Sequence, residues 1–323
     1  MNKAAIALFT LLAAMTSTES RAADIRRKLD DPSAGIFVVA HRGCHNPAPL
    51  HRLPEAPENS LAALENCVKL GVDMMETDVR RAKDGTLVIM HDATIDRTSD
   101  GSGRLADLTL EELKRFRLRR NFGGKVSPQT TDQVMPTLTE MLAAAKGRIM
   151  LNLDIKEAIY PEVVAAVQAA GMTEQALIKS EVTDPAAPPV ADQPPYRDAL
   201  YMPILWEKGV SWENMDIGGL VTRQSSGRRR IPAVELVFLD PKLYPAVRAA
   251  ARQAGIRIWC NTLTSVGVVG IAGAGGDVDA LRDRGRTWST LIEQDVSIFQ
   301  TDEPEALLEF LARRGAKTRR PVP

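Results

Sequence analysis

Histidines at the ends of apolar segments are the first candidates for chemistry. All four histidines lie within the first 91 residues; His41 directly follows the apolar run 37–40, and His91 ends a later one. Histidine changes its charge near neutral pH, so such a pair can take up and release protons. A lone histidine after a strand is more often structural. His45 and His51, in a polar Pro-rich loop, are interpreted in that way.

Three acidic residues form a second group. Glu76 and Asp78 are two positions apart in an apolar run, so a strand would point both carboxylates to one face. Asp154 lies near the end of another apolar run. Buried carboxylates require a cation, and oxygen ligands favour Mg²⁺ or Ca²⁺ over zinc. The sequence therefore predicts one divalent cation bound by these three residues, with a solvated strand face as the simpler alternative.

Two basic residues accompany these groups. Arg42 follows His41, and Lys156 lies two positions after Asp154 and shares its strand face. A guanidinium and an ammonium suit an anionic substrate group, most naturally a phosphate. The combination predicts metal-dependent chemistry on a phosphate ester. Trp259, at a predicted strand end, is interpreted as core first and as a substrate platform second.

Nine strand-like runs are available to position these side chains. They are Ile36–Ala40, Val72–Arg80, Thr86–Met90, Ile149–Ile155, Ala176–Ser180, Met202–Trp206, Val234–Leu239, Ile256–Cys260 and Val296–Thr301. An Asp84-Gly85 turn is too short to join parallel neighbours, so the third run is predicted to be antiparallel. Eight parallel runs alternating with amphipathic stretches predict an α/β fold, a (β/α)₈ TIM barrel with its site at the C-terminal strand ends. An open doubly wound sheet is the alternative, but no G-x-G-x-x-G follows the first run.

The predicted domain covers residues 23–316. A segment of about 91–136, with its own helix at Thr109–Leu118, is interpreted as a small inserted subdomain after strand two. The basic, Pro-ended tail 317–323 is predicted to be disordered.

The first 22 residues are predicted to be a signal peptide. Lys3 precedes the apolar run Ala4–Met15, and Ser20 and Ala22 fit the small-residue rule of a cleavage site. A membrane-spanning anchor needs roughly 20 apolar residues, so no stable membrane anchor is expected. The protein is therefore predicted to be secreted or periplasmic.

Charge and cysteine content exclude other classes. The 323 residues include 41 Lys and Arg against 41 Asp and Glu. Nucleic-acid binding normally needs a basic excess, so no nucleic-acid partner is expected. The three cysteines are Cys44, Cys67 and Cys260, without metal-ligand spacing. This odd count predicts a fold that does not depend on disulfides, with one Cys44–Cys67 bridge left open.

Short motifs occur in a fixed order along the chain. The densest are His41-Arg42-Gly43, Pro57-Glu58-Asn59-Ser60, Glu76-Thr77-Asp78 and His91-Asp92. Sparser ones are Arg97-Thr98, Gly101-Ser102-Gly103, Asp154-Ile155-Lys156 and Gln300-Thr301-Asp302. In this order they resemble the glycerophosphodiester phosphodiesterase family, most densely over residues 36–118.

The resemblance implies a TIM barrel that hydrolyses a glycerophosphodiester, a small molecule, to glycerol 3-phosphate and an alcohol such as choline. It implies His41 and His91 as the acid–base pair. The implied ligands of one Ca²⁺ or Mg²⁺ are Glu76, Asp78 and Asp154. The implied substrate-binding residues are Arg42, Lys156, Glu58, Trp259 and Asn261, with Glu58 orienting the first loop.

Two departures from the family pattern concern the substrate. Asp154 stands where the family usually has Glu, and the related sphingomyelinase D enzymes also have Asp at this position. The family's Trp-Thr-x-Asn motif is reduced to Trp259-Cys260-Asn261. The alternative is therefore a phospholipase D-like hydrolase of lysophospholipids or other phosphodiesters. A non-catalytic phosphate-ester-binding protein is a third reading, disfavoured because binding alone needs no pair of proton-transfer groups.

Overall fold

The computed structural model describes residues 21–206, 212, 215–263 and 267–318. Its strands are β1 (Phe37–Ala40), β2 (Met74–Arg81), β3 (Leu87–Ile89), β4 (Met150–Ile155), β5 (Ala176–Glu181), β6 (Leu200–Trp206), β7 (Ala233–Val237), β8 (Arg257–Leu263), β9 (Val268–Val269) and β10 (Val296–Thr301). Its α-helices are α1 (21–30), α2 (Leu61–Leu70), α3 (Leu110–Leu113), α4 (Leu138–Ala145), α5 (Tyr160–Ala169), α6 (Ile217–Ser225), α7 (Tyr244–Ala254), α8 (Asp277–Arg282), α9 (Arg286–Glu293) and α10 (Pro304–Thr318).

Eight of these strands close into a parallel barrel. Their order is β1-β2-β4-β5-β6-β7-β8-β10, and β1 completes the ring because it pairs with both β2 and β10. The strands are buried on both faces, which is why they read as nearly continuous apolar runs in the sequence. The predicted (β/α)₈ barrel is confirmed.

The third predicted run, Thr86–Met90, contains the antiparallel partner of β2, as the Asp84-Gly85 turn required. β3 pairs with β2 from Val79↔Ile89 to Arg81↔Leu87. Gly85 adopts a φ of 86°, a left-handed conformation that glycine takes without strain. The short β9, antiparallel to β8, has no counterpart in the prediction because two residues form no recognisable alternation.

Helix α1 closes the N-terminal end of the barrel. Ile25 and Leu29, one turn apart, pack inside the barrel together with Trp259 and apolar residues from the other strands. The buried guanidinium of Arg257 donates to three carbonyl groups at the C-terminal end of this helix, where a cation is favoured. Two apolar residues within a charged stretch are too weak a pattern to predict this helix.

Residues 91–136 separate β3 from α4. Their apolar side chains form one small cluster with the β2–β3 hairpin, with members Ala82, Val88, Met90, Ile95, Leu105, Leu113 and Met135. The predicted helix Thr109–Leu118 is wrong in length: α3 begins after the Thr109 cap and ends at Leu113, since Phe116 packs against the cluster. An inserted subdomain stays a prediction.

Both predicted terminal segments extend beyond the structure. The predicted signal peptide, residues 1–22, lies outside the described residues except for Arg21 and Ala22, which begin α1. The predicted disordered tail starts at residue 317, whereas α10 continues to Thr318; residues 319–323 lie outside the described residues. Within the described ranges, no helix has the length and apolar character to cross a membrane.

Candidate active site

A tight turn after β1 positions His41 and Arg42 at the C-terminal ends of the barrel strands. Arg42 and Gly43 both have left-handed backbones, with φ 51° and 87°. A Cβ on Gly43 would lie 2.8 Å from side-chain atoms of α2 and of β2, so only glycine fits there. The Arg42 N–H donates to Oε2 of Glu76 at 2.7 Å. The turn is therefore fastened to β2.

A disulfide connects this turn to α2. Cys44 is bonded to Cys67, with the two Cα atoms 5.1 Å apart. The bridge left open by the sequence is therefore present, three residues after His41. Cys260 is a buried free thiol.

His41 is paired with Asp302, the residue that follows β10. Nδ1 of His41 lies 2.7 Å from Oδ1 of Asp302, and both side chains are buried. An ionised carboxylate only accepts hydrogen bonds, so Nδ1 carries the proton and Nε2 is the basic atom. Burial lowers the pKa of His41, and Asp302 offsets this effect only in part. The ring is therefore neutral at neutral pH and able to accept a proton.

His91 forms an equivalent pair with its neighbour Asp92. Nδ1 of His91 lies 2.7 Å from Oδ1 of Asp92, and the histidine side chain is one-third exposed. Burial alone would raise the pKa of Asp92, but His91 and Arg97 hold it well below its usual range. Both predicted histidines thus have Nδ1 held by an ionised aspartate.

Glu76, Asp78 and Asp154 come together at the top of the barrel. Each offers one oxygen within 4.8 Å of the others, because β2 and β4 pair with Asp78 opposite Asp154. Asn59, in the loop before α2, donates to Asp78 at 2.7 Å. Burial, followed by the negative charges of Asp78 and Asp154, raises the pKa of Glu76 well above its usual value. Additional positive charge near the three carboxylates would therefore stabilise the ionised form of Glu76.

Two lysines face these carboxylates. Nζ of Lys156 lies 2.9 Å from Asp78 and 3.0 Å from Asp154. Nζ of Lys179 lies 3.8 Å from Asp154 and 3.0 Å from Glu235. Burial would raise the pKa of Asp78, but Lys156 and Arg42 outweigh it and hold that pKa far below its usual range. Lys156 thus contacts two of the candidate metal ligands directly.

Glu58 lies beside the first turn. It is buried, and its carboxylate accepts hydrogen bonds from Arg42 at 3.1 Å and from Arg97 at 2.7 and 2.8 Å. Arg42 is therefore already paired with a carboxylate, while its Nε lies 3.2 Å from Nε2 of His41.

Trp259 and Asn261 are both buried, and their predicted contact with substrate stays a prediction. Trp259 is fully buried in the barrel interior, and its Nε1 donates to Asn261 at 3.0 Å. Asn261 in turn donates to Glu235 at 2.9 Å. The prediction ended the strand at Cys260, whereas β8 continues to Leu263, so Trp259 lies in the middle of a strand and below its C-terminal end.

Sequence reasoning missed several charged residues of the site. Lys179 and Glu235 are single charged residues within apolar strands, and such residues are usually expected to face solvent. Each follows an apolar residue two positions earlier, Leu177 or Ala233, that packs inside the barrel. This two-residue period could have identified them. Asp302 directly follows β10, just as His41 directly follows β1. This equivalent position indicated that Asp302 also lies at the C-terminal ends of the strands.

The donor set fits a hard divalent cation. The three clustered ligand atoms are all carboxylate oxygens, which suit Mg²⁺ or Ca²⁺. Burial and then the charges of Asp78 and Asp154 raise the pKa of Glu76, and a cation among the three carboxylates would offset both effects. A carboxylate cluster flanked by two histidine–aspartate pairs and two lysines is suited to phosphate-ester chemistry.

Comparison with known proteins shows similarity to one enzyme family. The model of the glycerophosphoryl diester phosphodiesterase family matches residues 41–183. Over these residues, which are less than half of the chain, the sequence is similar to that family. The match contains both histidines and all three clustered carboxylates. A second model, described only as a domain of unknown function, matches residues 201–311, which contain Glu235 and Asp302.

Named relatives agree with the family. A glycerophosphodiester phosphodiesterase of Caldanaerobacter subterraneus is 35% identical over 151 residues, covering 45% of this chain and 57% of that protein. Glycerophosphodiester phosphodiesterase 1 of Homo sapiens is 39% identical over 132 residues, covering 39% of this chain and 35% of that protein. The chain thus spans about half or less of the length of these relatives.

Solved structures of the family have the same fold. A glycerophosphoryl diester phosphodiesterase from Parabacteroides distasonis has a TM-score of 0.62 at 23% identity and covers 87% of each chain. A phosphodiesterase from Oleispira antarctica, solved with its product sn-glycerol-3-phosphate, has a TM-score of 0.57 at 20% identity, covering 87% of this chain and 98% of that one. Both likenesses cover most of the chain and show the same barrel fold.

Proposed function

We propose that the protein is a metal-dependent phosphodiesterase that hydrolyses glycerophosphodiesters to glycerol 3-phosphate and an alcohol. The observation that carries the proposal is the cluster of Glu76, Asp78 and Asp154, whose oxygens lie within 4.8 Å of one another. Two histidines, each oriented by an aspartate, flank the cluster. Similarity to the family model and the named activity of the relatives support the same reaction.

The three carboxylates would hold one Ca²⁺ or Mg²⁺. Such a cation, when bound, supplies positive charge that stabilises the negative charge developing on the phosphate oxygens. Lys156 and Arg42 line the same site and add positive charge for the phosphate group. The chain's own groups thus bind and orient the anionic centre.

The histidines move the protons in this proposal. Each can exchange a proton at Nε2 while its Nδ1–H stays on Asp302 or Asp92. One ring takes the proton of the attacking hydroxyl group, and the other gives a proton to the leaving alcohol. The aspartates stabilise the imidazolium that forms, because an opposite charge lies within hydrogen-bond distance.

A substrate panel tests the proposal. The purified protein is given glycerophosphocholine, glycerophosphoethanolamine, lysophosphatidylcholine and bis(p-nitrophenyl) phosphate, and release of glycerol 3-phosphate and of free alcohol is measured. We expect glycerol 3-phosphate from the first two, and its loss in His41→Ala but not in His51→Ala, since His51 is paired with Glu305 outside the cluster.

Other outcomes would change the proposal. Choline release from lysophosphatidylcholine alone would replace it with the phospholipase D-like alternative. Activity in none of the assays, with a bound cation, would contradict catalysis and favour a phosphate-ester-binding protein.

We also infer that the protein is exported. The apolar run Ala4–Met15 and the Cys44–Cys67 disulfide, which is typical of oxidising compartments, support export. Expression of the full chain in a Gram-negative host should yield periplasmic protein that begins at Ala23. Full-length protein retained in the cytoplasm would contradict the inference.

A further inference from the structure

Arg97 has an acceptor for every N–H group of its guanidinium. Nη1 and Nη2 donate to the two oxygens of Glu58 at 2.8 and 2.7 Å. Nε and Nη2 donate to the two oxygens of Asp92 at 2.7 and 3.0 Å. Nη1 also donates to the carbonyl of Phe122 at 2.6 Å. A lysine ammonium cannot reproduce two bidentate pairs on adjacent edges of one planar group.

The two carboxylates lead from this guanidinium to the two histidines. Asp92 also holds Nδ1 of His91, at 2.7 Å. On the other side, Glu58 accepts from Arg42, whose Nε lies 3.2 Å from Nε2 of His41. The continuous chain of contacts is His41–Arg42–Glu58–Arg97–Asp92–His91.

The backbone of Arg97 is held as closely as its side chain. The N–H of Gly124 donates to the Arg97 carbonyl at 2.6 Å. A Cβ on Gly123, whose φ is 64°, would lie 2.3 Å from that oxygen, so no other residue fits there. The guanidinium therefore projects from a fixed point, and its position sets the positions of both carboxylates.

We propose that Arg97 is a positioning residue that fixes the separation and orientation of His41 and His91. The proposal rests on the proposed function, because two-step proton transfer requires both rings to be placed accurately against one phosphate group. It also gives the segment 91–136 a role, since Arg97 joins that segment to the loop before α2. The acceptors of the Arg97 guanidinium are Asp92, Glu58 and the Phe122 carbonyl, so its hydrogen bonds reach none of the three candidate metal ligands.

The test compares Arg97→Lys with Arg119→Lys. Arg119 lies in the same segment, and its guanidinium donates to the carbonyls of Ser99 and Pro128. With glycerophosphocholine as substrate, Arg97→Lys should lower kcat by about 10²-fold, the effect of misplacing a reacting group by about 1 Å, and change KM little. Arg119→Lys should leave both constants close to those of the parent protein.

A second readout does not depend on turnover. The chain has four histidines, so their imidazole ¹H–¹⁵N resonances can be assigned by single substitutions. Arg97→Lys should shift the resonances of both His41 and His91 and leave those of His51 in place. If Arg97→Lys does not fold, Asp92→Asn, which keeps the side-chain shape, should lower kcat and shift the His91 resonances.

The outcomes separate this proposal from the proposed function. A parent protein that hydrolyses no phosphodiester would contradict the proposed function, and the histidine resonances would then decide the role of Arg97. A folded Arg97→Lys variant with unchanged kcat or unchanged His41 and His91 resonances would overturn the proposal. An Arg97→Lys variant that loses thermal stability but keeps its kcat and its histidine resonances would also overturn the proposal.

Discussion

Nδ1 of His41 lies 2.7 Å from Oδ1 of Asp302, across the closure of the barrel between β1 and β10. Asp302 is held in turn by Asp277, whose Oδ2 accepts the Asp302 N–H at 2.9 Å. His41 thus gains its tautomer from a residue that lies 261 positions away in the sequence. The two parts of the chain that different family models match thus contribute to one candidate site.

Asp302→Asn should reduce kcat by about 10²- to 10⁴-fold, the contribution of a correctly protonated general acid or base. An asparagine amide can donate to Nδ1 and favour the wrong tautomer of His41. Asp198→Asn is a matched control, because Asp198 is half-exposed and paired with Arg197. Steady-state kinetics of both variants measure the effect. Equal activity of Asp302→Asn and Asp198→Asn would contradict the role given to the pair.

The burial of His41 should make stability depend on pH. Burial lowers the folded pKa of His41 below its unfolded value of about 6.5, so the unfolded chain binds a proton more readily. The contribution to stability is present above about pH 6.5 and is lost as the pH falls toward the folded pKa, by up to about 1.4 kcal/mol per unit. Denaturant unfolding from pH 7.5 to 5 should show a smaller loss in His41→Asn than in His51→Asn. Identical pH curves for the two variants would refute this explanation.

Lys156 should act as a counter-charge for the carboxylates when no cation is bound. Its Nζ lies 2.9 Å from Asp78 and 3.0 Å from Asp154. Lys156→Met should therefore lower the free energy of unfolding of EDTA-treated protein by about 3 kcal/mol, the cost of an unpaired buried charge. Ca²⁺ or Mg²⁺ should restore most of it, because the cation replaces the missing charge.

Thermal unfolding with EDTA and with added cation measures this effect. Lys146→Met is the control, since Lys146 is exposed and its Nζ donates to the Ala170 carbonyl rather than to a carboxylate. If neither Ca²⁺ nor Mg²⁺ restores the stability of Lys156→Met, Lys156 stabilises the protein through packing and not through its charge.

Reduction of the Cys44–Cys67 bridge should destabilise the protein. The bridge closes a loop with a sequence separation of 23, for which the expected contribution is about 3 kcal/mol. Unfolding in the presence and absence of dithiothreitol measures it, with Cys260→Ala as a control that keeps the bridge. The reductant effect should persist in Cys260→Ala and vanish in Cys44→Ser. An effect of the reductant on Cys44→Ser would contradict the assignment.

The barrel could be predicted because its strands are short apolar runs. The Asp84-Gly85 turn also showed that the run after it is antiparallel, which left eight parallel strands. The regions that could not be predicted lack such patterns. In α1, Ile25 and Leu29 are the large apolar residues among charged ones, which is too weak a pattern to predict a helix. The helix closes the barrel through contacts of these two residues with the strands, which the sequence does not reveal. Trp259 was misplaced because the apolar run gave no sign that β8 continues to Leu263.

The site was predictable where residues two apart share a strand face, as Glu76 and Asp78 do. The site was harder to predict where the partner comes from a distant strand. Lys179 and Glu235 have only the two-residue period as a signal, and Asp302 only its place after β10. Their contacts with Asp154 and His41 form when the barrel closes. Arg97 was visible in a motif, but its role depends on contacts with Glu58 and Asp92 that no spacing rule reveals.

Metal-dependent release of glycerol 3-phosphate tests the central claim most directly. Glycerophosphocholine is incubated with the parent protein and with Glu76→Gln, first with EDTA and then with excess Ca²⁺ or Mg²⁺, while calorimetry measures cation binding to both proteins. We expect no release with EDTA, full recovery for the parent protein with one cation bound, and neither binding nor recovery for Glu76→Gln. Undiminished release in EDTA, or by Glu76→Gln, would contradict it.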